Sequence, residues 1–164
     1  MIARLNLIAA LAARRSMTSP LFPCIHSASP QNHAGGIQSS DVDCAAVRVA
    51  SHHVRRNGLA GHVRPVCAPG YRSRALRRSD YDLIFGNILA RPLALMARDL
   101  GRAIAPGGVA VLAGLLSRQE ALVVAAHRAQ GLALERRLVI EGWSTLILRS
   151  GQRSDQTGGP GNQR

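Results

Sequence analysis

Two side chains in this sequence stand where a carboxylate and a carboxamide could meet a ligand, Asp41 and Asn87. Asp41 closes Ile37-Gln38-Ser39-Ser40-Asp41, which reads as a short strand ending in an acid. Asp43 follows as the N-cap of a helix over residues 44–57, in which Val47, Ala50 and Val54 share a face and Gly58 provides the stop. An acid at the end of the second strand of a nucleotide-binding sheet can accept hydrogen bonds from ribose hydroxyls; the same acid can equally serve as a second capping residue. Asn87 lies within residues 81–93, YDLIFGNILARPL. There an apolar run suited to a strand buried on both faces breaks at Gly86-Asn87, and Pro92 fits the first turn of a helix carrying Leu93, Met96, Ala97, Leu100 and Ile104 on one side. In an open α/β sheet ligands bind at such a corner, beyond the carboxyl end of a strand. An asparagine there also tolerates left-handed backbone as a plain turn residue.

Other chemistries find less support. Cys24, Cys44 and Cys67 are far apart and follow neither a zinc spacing nor a disulfide framework. His52 and His53 are adjacent, so on a helix they point in different directions and read as solvated positions; no metal site is expected. The chain of 164 residues has a formal net charge of +12, and all of its basic residues apart from histidine are arginine. Such a surface can attract phosphate or an acidic partner, although a GC-rich genome enriches Arg, Ala, Gly and Pro together. Aromatic residues are too few for a base-stacking platform. No stretch approaches the apolar length of a membrane span.

The elements that must position Asp41 and Asn87 follow in order. Residues 1–33 form an irregular segment: 1–13 are apolar and dotted with arginine, no acid occurs before Asp41, and 17–33 carry Pro20, Pro23 and Pro30 without periodicity. An acid-poor, arginine-containing start is compatible with a mitochondrial transit peptide as well as with an ordinary short helix or a mistranslated or truncated end. Order is expected from about residue 34. Residues 62–67 make a third short strand, confined to an edge by Pro65, and 68–79 a basic loop. After the helix at Pro92 a turn at Ala105-Pro106-Gly107-Gly108 launches a buried strand over 109–116. Ser117-Arg118-Gln119-Glu120 matches a capping box that opens a helix with Leu122, Ala125, Ala126 and Ala129 inward. Residues 132–141 and 143–149 form an antiparallel pair joined at Gly142, and 151–164 a disordered tail. This alternation predicts a three-layer α/β sandwich with a mostly parallel sheet and a terminal antiparallel strand pair.

Several segments together resemble one family. They are Ser40-Asp41-Val42-Asp43-Cys44-Ala45-Ala46-Val47, Asn57-Gly58, Asp82-Leu83-Ile84-Phe85-Gly86-Asn87-Ile88-Leu89-Ala90-Arg91-Pro92-Leu93, Ile104-Ala105-Pro106-Gly107-Gly108 and Glu141-Gly142-Trp143. Residues 34–150 look like the later part of the catalytic domain of the ribosomal protein L-eleven methyltransferase family, with Gly86 where that family usually has alanine. The resemblance implies a Rossmann-like class I methyltransferase sheet and S-adenosylmethionine as cofactor. Asp41 would hold the ribose hydroxyls, and Asn87 would line the methyl-donor and substrate-amine site as both cofactor-binding and catalytic residue. It also implies a protein of the large ribosomal subunit as substrate and the cytoplasm as compartment. The chemistry implied is in-line attack of a neutral amine on a sulfonium methyl, with the enzyme positioning and desolvating the reactants.

The sequence departs from that pattern before residue 34. About twenty residues ahead of Asp41, where the family's glycine-rich turn belongs, stand Met17-Thr18-Ser19-Pro20-Leu21-Phe22-Pro23-Cys24, without glycine. The family's first strand and glycine-rich loop are therefore expected to be missing, as in a truncated or frameshifted member of doubtful activity. Asp41 and Asn87 are expected to project from neighbouring strand tips into one crevice. The competing expectation is a non-enzymatic arginine-rich fragment that binds ribosomal RNA or another acidic partner.

Overall fold

The computed structural model describes residues 24–28, 37–68, 70–73, 76 and 81–152. Seven strands form one sheet: β1 (Cys24–Ala28), β2 (Ile37–Asp41), β3 (Val63–Cys67), β4 (Tyr81–Asn87), β5 (Ile104–Leu116), β6 (Leu132–Ile140) and β7 (Trp143–Ser150), in the spatial order β3-β2-β1-β4-β5-β7-β6. Among the described residues three helices connect them: α1 (Cys44–Arg56), α2 (Ala90–Ala103) and α3 (Glu120–Arg128). β2 runs parallel to β3 and β4 parallel to β5, whereas β1 is antiparallel to both of its neighbours and β7 to both of its own. Hence β2, β3, β4, β5 and β6 point one way, and β1 and β7 the other.

The layers follow from the connections. β2-α1-β3 steps towards one edge and β4-α2-β5 towards the other, so right-handed crossovers put α1 and α2 on opposite faces. α3, between β5 and β6, packs beside α2. The three-layer α/β sandwich expected from the alternation of elements is the fold observed. Pro65 sits on β3, the outermost strand, as its missing N–H requires.

The core lies between the β4-β5-β7 surface and α2 with α3. Register partners place Ile84, Ala110 and Leu148 in one row and Gly86, Leu112 and Leu146 in the next, all buried. Leu93, Ala97 and Leu100 of α2 and Val123 of α3 close over them. The helical face expected at Leu93, Ala97 and Leu100 is the buried one and Met96 lies at its margin against Gly70, but Ile104, expected on the same face, is instead the buried first residue of β5, because the helix ends at Ala103. On the reverse surface Leu83, Phe85, Val109, Val111 and Ile147 are only half-buried, so these strands are not enclosed on both faces as their apolar runs suggest.

Five local expectations are corrected. A strand, β1, occupies residues 24–28 inside the stretch read as irregular. The slot between β2 and β4 exposes unpaired N–H and C=O groups on both sides, and any segment that can satisfy them gains a full ladder. The Pro106-Gly107 turn falls within β5, as an irregularity between the Tyr81–Ile104 and Leu83–Val109 pairs, with Gly107 at φ +74°. The Ser117 capping box does not form. Gln119 Oε1 instead accepts the Leu116 N–H at 2.9 Å, residues 117–119 make a 3₁₀ turn, and Ser117 turns towards the Gly142 carbonyl. That rotates α3, so Val123 and His127 face inward while Leu122, Ala125 and Ala129 are exposed. Finally, Cys44 and Cys67 are disulfide-bonded, with Cα atoms 5.0 Å apart. The parallel β2-β3 pairing sets Cys67 level with Asp41, and the helix starts at Cys44, three residues later, so the crossover itself returns the two sulfurs to one corner. Expectations for residues 1–23, 29–36 and 153–164, and the parts of the basic loop at 69, 74–75 and 77–80, lie outside the described residues.

Candidate cofactor site

Asp41 ends β2 and is buried, 6 % exposed. Its Oδ1 accepts the Asp43 N–H at 2.9 Å and its main-chain oxygen accepts the Ala68 N–H at 2.9 Å, which fixes the corner between β2 and α1 from both sides. Capping falls to Asp43, whose Oδ1 accepts the Ala45 N–H at 2.8 Å. Asp43 therefore caps the helix, while Asp41 holds the Asp43 N–H at the end of β2.

Asn87 ends β4 and is exposed. Beneath it, a side-chain carbon on Gly86 would come within 3.1 Å of a Leu93 methyl and 3.2 Å of a Leu112 methyl, so those two leucines fill the space an alanine would use. Beyond it, Ile88 and Leu89 lead into α2, whose first turn accommodates Pro92 because N–H groups there have no partner within the helix. The Asn87 carboxamide oxygen lies against Gly114 of β5.

The structure brings Asp41 and Asn87 to one edge of the sheet, but not to neighbouring strands. β1 stands between them. Cys24 pairs with Asn87, and Ile25 pairs with Ser40, so Asp41, one residue on, is level with the same Cys24. Both residues therefore occupy one row and one face, two inter-strand spacings or about 10 Å apart. The strand between them is reversed. A strand running with β2 and β4 would deliver its carboxyl end, a turn and a helix amino terminus to this edge. β1 instead presents its first residue, Cys24, to this edge.

Elsewhere, a groove of about 460 Å³ lies between the end of α1 and the start of β3, lined by Val54, Arg55, His62 and Val63 among others. It is at the opposite end of the strands from Asp41 and contains neither an acid nor Asn87. His52 and His53 are exposed on α1 with ring centroids 6.0 Å apart, and no group of three metal-ligating side chains occurs among the described residues. Among the described residues, two buried groups outside the site have displaced pKa values. The Nδ1–H of His127 donates to the Val123 carbonyl at 2.8 Å, and burial lowers the pKa of the ring. Tyr71 is held neutral well above the ordinary phenol range by burial first and by Tyr81 second. Neither is signalled by sequence spacing, since burial is a tertiary property.

Comparison with known proteins decides the relationship. A sequence model described as ribosomal protein L11 methyltransferase (PrmA) matches residues 27–151. The chain belongs to this family. The ribosomal protein L11 methyltransferase of Bradyrhizobium diazoefficiens is 44 % identical over 114 residues, which cover 69 % of this chain and 39 % of that protein. That of Rhizobium rhizogenes is 42 % identical over 113 residues, 68 % of this chain and 39 % of that one. This chain therefore spans about two fifths of the length of the curated relatives it matches. Among solved structures, the ribosomal protein L11 methylase of Lactobacillus delbrueckii subsp. bulgaricus superposes with a TM-score of 0.64 at 16 % identity, covering 70 % of this chain and 58 % of that one. An RNA methyltransferase from Salinibacter ruber, solved with S-adenosyl-L-homocysteine, gives 0.54 at 13 % identity, over 71 % and 67 %. At such identities these likenesses show the fold. The family match begins at Ser27, so most of reversed β1 precedes it. Among the described residues, no helix is long and apolar enough to cross a membrane.

Proposed function

We propose that this chain carries the later part of an S-adenosylmethionine-dependent protein methyltransferase acting on an amine of a large-subunit ribosomal protein, in the cytoplasm. The observation that carries the reading is the placement of Asp41 and Asn87 in one row at one sheet edge, within a segment that matches the family throughout. The residues present fit the ribose end of the cofactor: a buried carboxylate at the tip of β2, oriented by the Asp43 N–H, is suited to accept from a diol. Among the described residues there is no glycine-rich turn between the two tips.

When bound, S-adenosylmethionine would supply the methyl group. The side chains here bind and orient. Asp41 accepts from the ribose hydroxyls, while the Asn87 carboxamide offers an acceptor for a substrate amine and a donor for the cofactor. Neither residue has to gain or lose a proton, so their contribution is position and exclusion of water. Calorimetric titration with S-adenosylmethionine tests this reading. Binding that disappears in Asp41→Ala is the expected result, and no heat at millimolar cofactor would remove it. The arginine-rich composition, at net charge +12, supports a weak additional contact with ribosomal RNA. That contact should weaken steeply with salt, and an affinity indifferent to ionic strength would exclude it.

A further inference from the structure

Gly114 is the point where β5 abandons its ladder. Leu112 pairs with Leu146 and Leu115 with Ser144, so β5 uses three steps where β7 uses two, and the additional residue is taken up at Ala113-Gly114 with Gly114 at φ +82°. This is a bulge built on a left-handed glycine. It carries the β5 backbone up against the β4-α2 corner. A methyl group at Gly114 would sit 2.8 Å from the Ile88 carbonyl oxygen, 2.9 Å from Asn87 Oδ1 and 3.1 Å from the Ile88 nitrogen, two of the three being main-chain atoms that cannot swing away. The far side of the bulge is anchored as well. Leu115 is fully buried, the Leu116 N–H is bound by Gln119 Oε1, and the Ser117 N–H is bound by the Gly142 carbonyl at 2.9 Å.

We infer that Gly114 is the positioning residue of Asn87: the bulge is a fixed stop against which the carboxamide and the Ile88 peptide rest, and its lack of a side chain sets how far Asn87 sits back in the sheet edge. The inference rests on the proposed role of Asn87, but its structural half can be read without any cofactor. Gly131 supplies the control, since it has φ +83° with nothing within 4 Å of a built side-chain carbon. Gly131→Ala therefore imposes the same backbone strain without the contact.

The experiment uses the full chain, with the Asn87 side-chain amide signals identified in a ¹⁵N–¹H spectrum by their loss in Asn87→Ala. In the unmodified protein these signals should show a nuclear Overhauser contact to the Gly114 α-protons, a measurement that needs no variant to fold. They should shift in Gly114→Ala and stay in place in Gly131→Ala. S-adenosylhomocysteine should bind roughly tenfold more weakly to Gly114→Ala, the scale of one hydrogen bond lost. It should bind normally to Gly131→Ala, and Gly114→Ala should add no further loss in an Asn87→Ala background. Absence of the Overhauser contact, unmoved amide signals, or an equal loss in Gly131→Ala would overturn the inference. If the unmodified chain fails to bind S-adenosylhomocysteine while the amide behaves as stated, the proposed function fails and the positioning stands.

Discussion

The Cys44–Cys67 bond makes a quantitative prediction because it closes a defined loop. Its sequence separation of 23 encloses all of α1 and β3. On the chain-entropy account, a loop of that length removes about 3.4 kcal/mol of freedom from the unfolded chain. The 5.0 Å Cα separation is within the range that a disulfide spans without backbone movement, so little of this gain should be lost to distortion. In a reducing compartment the two residues are thiols, and the comparison of interest is between the states. Urea unfolding followed by far-ultraviolet circular dichroism should give a midpoint roughly 1–3 M higher for the oxidised chain than for the same chain in dithiothreitol. Cys67→Ser should behave like the reduced chain and be insensitive to dithiothreitol. Coincident curves for the oxidised and reduced chains would refute the reasoning, as would a dithiothreitol effect that persists in Cys67→Ser, because either result would mean that this loop does not constrain the unfolded state.

Three further outcomes follow from the core and its titratable group. Leu112→Ala, at a fully buried position between β4, β7 and α2, should cost about 2–5 kcal/mol in the same unfolding assay, with a small loss counting against the packing described. Gly86→Ala meets only the ends of Leu93 and Leu112, so it should cost about 1 kcal/mol, and a change several times larger would show that the leucines cannot yield. Burial depresses the pKa of His127, so the native state takes up its proton later than the unfolded state as pH falls; stability should be intact above the unfolded value of about 6.5 and decline below it. Thermal midpoints measured between about pH 7.5 and 5.5 should fall with acid, less so in His127→Gln, and an identical fall in the variant would exclude His127 as the cause.

Local pattern alone settled much of this protein. The apolar run at β4, the Pro92 helix with Leu93, Ala97 and Leu100 on its buried face, the Asp43 cap, the edge strand with Pro65 and the hairpin at Glu141-Gly142 were all legible, because each depends on side-chain periodicity or backbone freedom within a few residues. The family, and with it the pairing of Asp41 and Asn87 as candidates, was legible from the same segments. Tertiary structure decided what depends on partners distant in sequence. The Cys44–Cys67 bond exists because a parallel crossover returns β3 to the start of α1. The inward face of α3 was set by Gln119 and Ser117 finding main-chain partners other than those a capping box supplies. The reversed β1 and the Gly114 bulge share one cause: backbone groups in the middle of a sheet must be paired, and whichever segment and register satisfy them fix which side chains share an edge.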